Sequence, residues 1–545
     1  MLRVSRSRHA CGAVIDFVAV SALVTVLVLS TLGGCSLLGW GKPAPAPTPS
    51  PSPSPNPPPT PTPPPVGKVI KVKSTFPLTA MTEVPLNAGV VISFDAPVDA
   101  ASLAKGAAFA PETAGTWEPY GTKDRMVFKA GPSWQPLTTY TLTLTSVRGE
   151  DGSALAEPFK LTFRTGSGLA GYPSALSALP APAWSPDGKH VASLAPPDPD
   201  VSGGAGPASY AIESYALNLV TLGKREVTRL TNSADRWQSP AFMSAGRTVV
   251  YASAVAPASG GKYNPDEVWA VQALSEAGAP VTQPVPKALV HAADFRNPSW
   301  LAAYQSPDGR LLAVVGNYGG IDAHSDVIQN LFIADATGKR LRDVGSTGGT
   351  QHFLGWVGSG RFLFLETYDQ KNNGHYFAYD LREADAATGQ THTLLTGGPV
   401  VGFAGGGVSA DGSLIAVTTW KAYDTGNSVA HMPTDLVIIR KDAKAAGGYS
   451  VKKVELPGAA AWAAPSPDGR QVAFASDDRG HWDLWLLDVA TMAASRLTSG
   501  SDDAVTPAWS PDGKLIAFVQ RIKDGADLKL VRPDTKEVLD YWQAR

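Results

Sequence analysis

A short reversing segment occurs five times in this chain: SPDGK (Ser185–Lys189), SPDGR (Ser306–Arg310), SADGS (Ser409–Ser413), SPDGR (Ser466–Arg470) and SPDGK (Ser510–Lys514). Pro presets the second position of a turn, Asp hydrogen-bonds its own backbone, and Gly takes the left-handed conformation, so each copy joins two antiparallel strands. The repeat is therefore expected to be structural. Its Asp residues are separated by 121, 103, 57 and 44 positions. The first two gaps are about twice the others, which predicts one eroded copy near the middle of each. PAFMSAGRTVVYAS (Pro240–Ser253) and LGWVGSGRFLFLE (Leu354–Glu366) fill those places, keeping the apolar lead-in, the small turn residues and the following strand.

Seven units result, and each continues into a third and a fourth strand-like segment. YALNLVTL, DEVWAVQAL, NLFIADATG, HYFAYDL, TDLVIIRKDA, WDLWLLDVAT and ADLKLVRPDT supply the third. EVTRLT, KALVH, RLRDV, THTLLT, VKKVEL, ASRLTSG and KEVLDYW supply the fourth. Four strands in a repeating unit of about 50 residues is the organisation of a β-propeller blade. AWSPDGKLIAF (Ala508–Phe518) and DLWLLDVATMAASRLTSG (Asp483–Gly500) resemble the TolB-type, WD-like propeller repeat, and the resemblance runs across residues 171–545. It implies an all-β, seven-bladed TolB-like β-propeller, with six or eight blades as alternatives. TolB itself has a six-bladed propeller behind a different N-terminal domain, so its partner does not carry over. Trp184, Trp300, Trp356, Trp462 and Trp509 fall near the first strand of their units, where a large ring is expected to fill the wedge between blades.

Ahead of the propeller, residues 67–166 alternate apolar and polar positions in VIKVKSTFP, VVISFDAPVD, DRMVFKAG, TYTLTLTSV and FKLTFRTG, between Pro, Gly and Asp turns. That spacing predicts a small β-sandwich. Val84–Asp99, Leu137–Leu155 and Leu161–Gly166 resemble bacterial Ig-like domains of the surface-layer type, which implies a spacer or adhesion module without catalytic residues.

The first 34 residues read as a lipoprotein signal peptide. Arg3, Arg6 and Arg8 precede the apolar run Val18–Leu32, which is too short for a comfortable membrane span, and LGGC ends at Cys35. The stretch resembles a bacterial lipobox, which implies that Cys35 becomes the lipidated N-terminus; an ordinary secretory signal with an incidental Cys is the alternative. Cys11 lies in the segment expected to be removed, leaving no second thiol for an internal disulfide. Residues 35–66 form the tether. Pro43–Pro65 places a Pro at least every second residue, favouring extended polyproline II that reaches about 70 Å if straight. A ligand for a Pro-binding domain is the sharper alternative.

Composition narrows the partner. Lys+Arg 46 against Asp+Glu 48 leaves no basic footprint for a phosphate backbone, so nucleic acid is not expected. The expected partners are the membrane, through the N-terminal lipid, and an envelope protein or cell-wall component.

Catalytic motifs are absent. The sequence has no G-x-S-x-G, H-E-x-x-H, C-x-x-C or Walker-A pattern, and with the sequence ending at Arg545 no catalytic domain is expected after the propeller. No catalytic residue and no cofactor is assigned. Two acidic stretches are weak metal candidates: SDDRGHWD, with Asp477, Asp478, His481 and Asp483, and GGIDAHSD, with Asp322, His324 and Asp326. A Ca²⁺ ion would need six or more oxygens from a suitably bent loop, and solvated turn acids are the plainer reading. Unrepeated insertions at Pro196–Ser209 and Val255–Asp266 follow the second strand of neighbouring blades, so they share a rim and could contribute to binding. The resulting expectation is a membrane-anchored, non-enzymatic binding protein. An extracytoplasmic enzyme acting on polysaccharide or peptide at the propeller channel is the alternative.

Overall fold

The structure is a computed structural model that describes residues 69–166 and 180–544, apart from 196–214, 236–237, 255–265, 297, 299, 319–328, 368–377, 427–428 and 523–524. Cys35, the signal-like run and the Pro-rich stretch lie outside the described residues. So do Asp322, His324, Asp326 and nearly all of the two insertions. Residues 66–545 make one compact unit.

Its first part is a sandwich. One sheet orders Val72–Phe76, Val90–Phe94, Thr122–Ala130 and Gly115–Tyr120; the other orders Ala107–Ala110, Thr139–Leu144 and Phe159–Arg164. Alternation does the sorting: in TYTLTL the residues Tyr140, Leu142 and Leu144 turn inward, and Thr139, Thr141 and Thr143 do not. Trp134 is the pivot of the core, buried against Tyr140 and Phe163 with its indole N–H donating to Ala88 O at 2.7 Å. The periodicity did not reveal Ala107–Ala110, Gly115–Tyr120 or the helix Ala100–Gly106, whose N-cap Asp99 accepts the Ala101 N–H.

From Ala183 to Ala544 the described residues form seven consecutive four-stranded antiparallel meanders, the second and third joined by a single parallel bridge at Asp266 and Trp300. This is a β-propeller, and its blades are numbered in chain order. Second strands such as His190–Ala195 are buried along their whole length because neighbouring blades cover both faces of each sheet. Every blade takes its four strands in sequence order, including the last, whose fourth strand Val538–Ala544 pairs with its own third strand Gly525–Val531. Among the described residues the first and last blades therefore share no strand. They meet by packing, with Val191 and Val220 against Ala517, Leu528 and Leu530.

The repeated turn is a small hydrogen-bonded lock. In all five copies the Gly has φ between 68° and 76°. The Ser hydroxyl donates to the Asp carboxylate at 2.6–2.8 Å in each copy. It also accepts the N–H five residues on, as Ser510 does from Leu515 at 2.9 Å. These serines are buried, a role that turn propensities alone did not assign. Both eroded copies lack the Asp: the first keeps the positive φ of the turn Gly at Gly246, whereas in the second Val357 pairs with Arg361 across a shorter turn whose positive φ falls at Gly358.

The tryptophans divide. Trp184, Trp356 and Trp509 each donate from Nε1 at 2.9 Å to a carbonyl in the first strand of the preceding blade, namely Ala508, Tyr304 and Ala464. They seal blade seams with a directional bond as well as with area. Trp462 instead meets Trp482 edge-on, with centroids 5.2 Å apart.

Candidate binding face

The locked turns occupy one end of the ring. Connections from second to third strands, and the links between blades, occupy the other, and there the blades differ. In blades 1 to 4 the second–third connections are 196–214, 255–265, 318–328 and 368–377; in blades 5 to 7 they are only 425–428, 477–482 and 523–524. The Ig-like module sits on the short ones.

Its contacts step along those three blades. At blade 5, Gly89 N–H donates to Thr425 O at 2.8 Å, and Asp424 accepts from Tyr120 Oη at 2.8 Å and pairs with Arg125 at 3.1 Å. Tyr423 and Met432 of this blade pack into the sandwich's own core. Gly426, at φ +78°, lets the hairpin approach: a Cβ there would stand 2.5 Å from Val127 Cγ2. At blade 6, Thr82 Oγ1 donates to Asp477 Oδ2 at 2.8 Å. At blade 7, Arg521 Nη2 pairs with Glu83 and, at 2.9 Å, with Asp503, whose other oxygen takes Arg164 Nη1 at 2.9 Å. Glu83, Arg521 and Asp503 are all buried. The module is thus seated on the propeller through a buried ionic chain that joins both.

The acidic stretch SDDRGHWD lies at the edge of this footprint. Asp477 accepts the Ala459 N–H at 2.7 Å in addition to Thr82. Asp478 and Asp483 both pair with Arg496, the latter at 3.0 Å, and Asp483 also accepts from Thr498 Oγ1 at 3.0 Å and lies 3.3 Å from His481 Nε2. Most of their oxygens face protein donors, Asp478 Oδ1 being buried without a hydrogen-bond partner. Among the described residues no three His, Cys, Asp or Glu side chains are grouped to hold a metal ion.

Burial pushes the Asp477 carboxyl up to about 6, outweighing the Thr82 and Ala459 hydrogen bonds, and Glu83 adds to the rise. The folded chain thus keeps a proton that the unfolded chain has released, so Asp477's contribution falls as pH rises from about 4 to about 6. His352 acts oppositely in the same window, because burial lowers it to about 4. A difference measurement separates them. Asp477→Asn is expected to match the parent near pH 4 and to exceed it by on the order of 2 kcal/mol at pH 7.5. Denaturation curves of both chains at the two pH values check this, and a pH-independent difference would contradict it.

Away from the Ig-like module, the same end of blade 4 holds a cavity of about 230 Å³ lined by Thr347, Glu366, Thr367, Asp380, Arg382 and Thr393. Glu366 and Arg382 are buried and paired. The sequence reading missed this group. The available signal was a Glu closing the apolar run FLFLE, a charge at a position that neighbouring blades fill differently.

An Ig-like sandwich seated on a β-propeller defines a two-module, all-β protein. The family model for the bacterial Ig-like domain matches residues 67–165. A 68-residue stretch is 41% identical to part of the putative Tricorn-like protease N-terminal subunit of Sulfurisphaera tokodaii, covering 12% of this chain and 33% of that protein. The chain therefore spans about a third of the curated relative it matches. Among solved structures, the propeller domain of the Trilobed protease from Pyrococcus furiosus, described as having an open velcro topology, is 13% identical over 67% of this chain and 97% of its own, with a TM-score of 0.45. A putative TolB from Agrobacterium tumefaciens is 16% identical over 60% of this chain and 88% of its own, with a TM-score of 0.32. No helix among the described residues is long and apolar enough to cross a membrane.

Proposed function

We propose that this chain is an exported, lipid-anchored envelope protein that binds another protein through blades 1 to 4 at the end of the ring bearing the Ig-like module. The observation that carries the reading is the unequal use of that end. Short connections are covered by the module, and long, unrepeated ones gather on the remaining blades, where variation is free of the packing that fixes the blade interiors. The basic N-region, apolar run and LGGC at Cys35 support export and anchoring, and the Pro-rich stretch would hold the folded unit away from the bilayer.

Cys35→Ala is expected to move the chain from the membrane fraction to the soluble fraction; unchanged partitioning would defeat the anchor. A photo-crosslinking residue at His291 or Thr347, on the proposed face, is expected to capture one protein species in intact cells. The same residue at Lys514, on the locked-turn end, is expected to capture none. Capture of cell-wall glycan instead, or equal capture from both ends, would overturn the reading.

A second reading is favoured by the match to a protease subunit: the propeller would serve peptide cleavage, alone or beside a hydrolase. Its test is peptide hydrolysis by the purified chain, which the binding reading expects to be absent.

A further inference from the structure

We propose that the blade 4 cavity is a subsite for a primary ammonium group of the kind a lysine side chain of the partner carries; this rests on the reading of this end of the ring as a binding face. Strand register places Glu366 directly opposite Asp380, and Arg382 opposite Thr393. Two carboxylates and one guanidinium thus share one face of the sheet, where opposed like charges repel.

Arg382 relieves only one of the carboxylates. Its Nη1 pairs with Glu366 Oε2 and its Nη2 donates to Thr391 Oγ1 at 2.7 Å. Glu366 Oε1 accepts from Ser346 Oγ at 2.6 Å and from the Thr347 N–H at 2.9 Å. With side-chain exposures of 1% for Glu366 and 9% for Arg382, that pair is buried and its charges cancel, while Arg382 Nε is left without a hydrogen-bond partner.

Asp380 is different. Its Oδ1 accepts the Gly398 N–H at 3.2 Å, while among the described residues it pairs with no Lys, Arg or His and its Oδ2 has no hydrogen-bond partner. Among the described residues the cavity therefore presents one uncompensated negative charge, one free carboxylate oxygen and the hydroxyls of Thr347, Thr367 and Thr393, and none of these lining residues is an aromatic ring for an apolar ligand or a sugar to stack on. Such a lining calls for a ligand that brings donors and positive charge. An ammonium offers three donors from a single point, whereas a guanidinium is best met by two carboxylate oxygens, and one of these is already taken by Gly398.

The test is calorimetric titration of the full chain with N-α-acetyl-lysine methylamide, its N-ε-acetylated form and the arginine equivalent. Saturable binding of the lysine compound is expected, with none of the acetylated form and weaker binding of the arginine form. Asp380→Asn is expected to weaken the lysine compound about tenfold or more, and Thr393→Val about threefold. Asn keeps the carbonyl that accepts from Gly398, so an unchanged denaturation midpoint separates lost binding from lost folding. Equal binding of the acetylated form, undiminished binding by Asp380→Asn, or no binding at all would overturn the subsite. Capture at His291 that persists alongside a failed titration rejects the subsite alone; failed capture with intact lysine binding rejects the assignment of a protein partner to this face.

Discussion

Arg521→Met is expected to destabilise the chain by about 3–5 kcal/mol and to release the Ig-like module from blade 7. Removing the cation deprives Glu83 and Asp503 of the guanidinium they share in the interior, while Asp503 keeps its pair with Arg164. The penalty comes from those stranded charges. Replacing Glu83, Arg521 and Asp503 together by apolar residues of similar volume is therefore expected to cost far less than the single change. Urea denaturation measures the cost, and hydrogen exchange of the Gly89 amide, which is bonded across to blade 5, reports whether the module stays seated. Equal loss in the single and triple variants would refute the account. Acid should imitate the single change. Burial raises the Asp503 carboxyl, but Arg521 and Arg164 outweigh it and hold the group below its ordinary value. Its contribution is complete at neutral pH and disappears as pH falls through that lowered value.

Trp184→Ala is expected to cost about 3 kcal/mol, and Trp184→Phe clearly less. Among the described residues blade 1 and blade 7 share no strand, so their seam depends there on side chains, and Trp184 supplies both ring area and the bond to Ala508 O. Trp356→Ala removes the same bond at the seam between blades 3 and 4, which lies within the continuous chain. If the seam of blades 1 and 7 is the weaker one, Trp184→Ala should also raise local exchange in His190–Ala195 and Ile516–Ile522, measured by hydrogen exchange, while Trp356→Ala should not. Identical exchange in the two variants would argue against a distinct seam.

The blade pattern was legible in the sequence because its determinants are local. Pro, Asp and Gly set the turn within four residues, and the apolar runs that follow declare the strands, so even the copies at Gly246 and Gly358 could be found. Docking of the Ig-like module was not legible, since it joins residues such as Thr82 and Asp477, or Glu83 and Arg521, that are 395 and 438 positions apart. The acidic stretch at Asp477–Asp483 stood out for its charge, but its partners Arg496 and Thr82 are specified by strand pairing and by docking. The blade 4 cavity was hidden for a related reason. Glu366 and Asp380 face each other only once the second and third strands of that blade are in register.

The self-contained blades have a consequence for how such a ring can change over generations. Since no strand among the described residues is lent from one end of the repeat to the other, an in-frame duplication or deletion of one unit leaves the four-stranded pairing within every remaining blade intact. Blade number can drift through single genetic events, and only the side chains of one seam must then adapt.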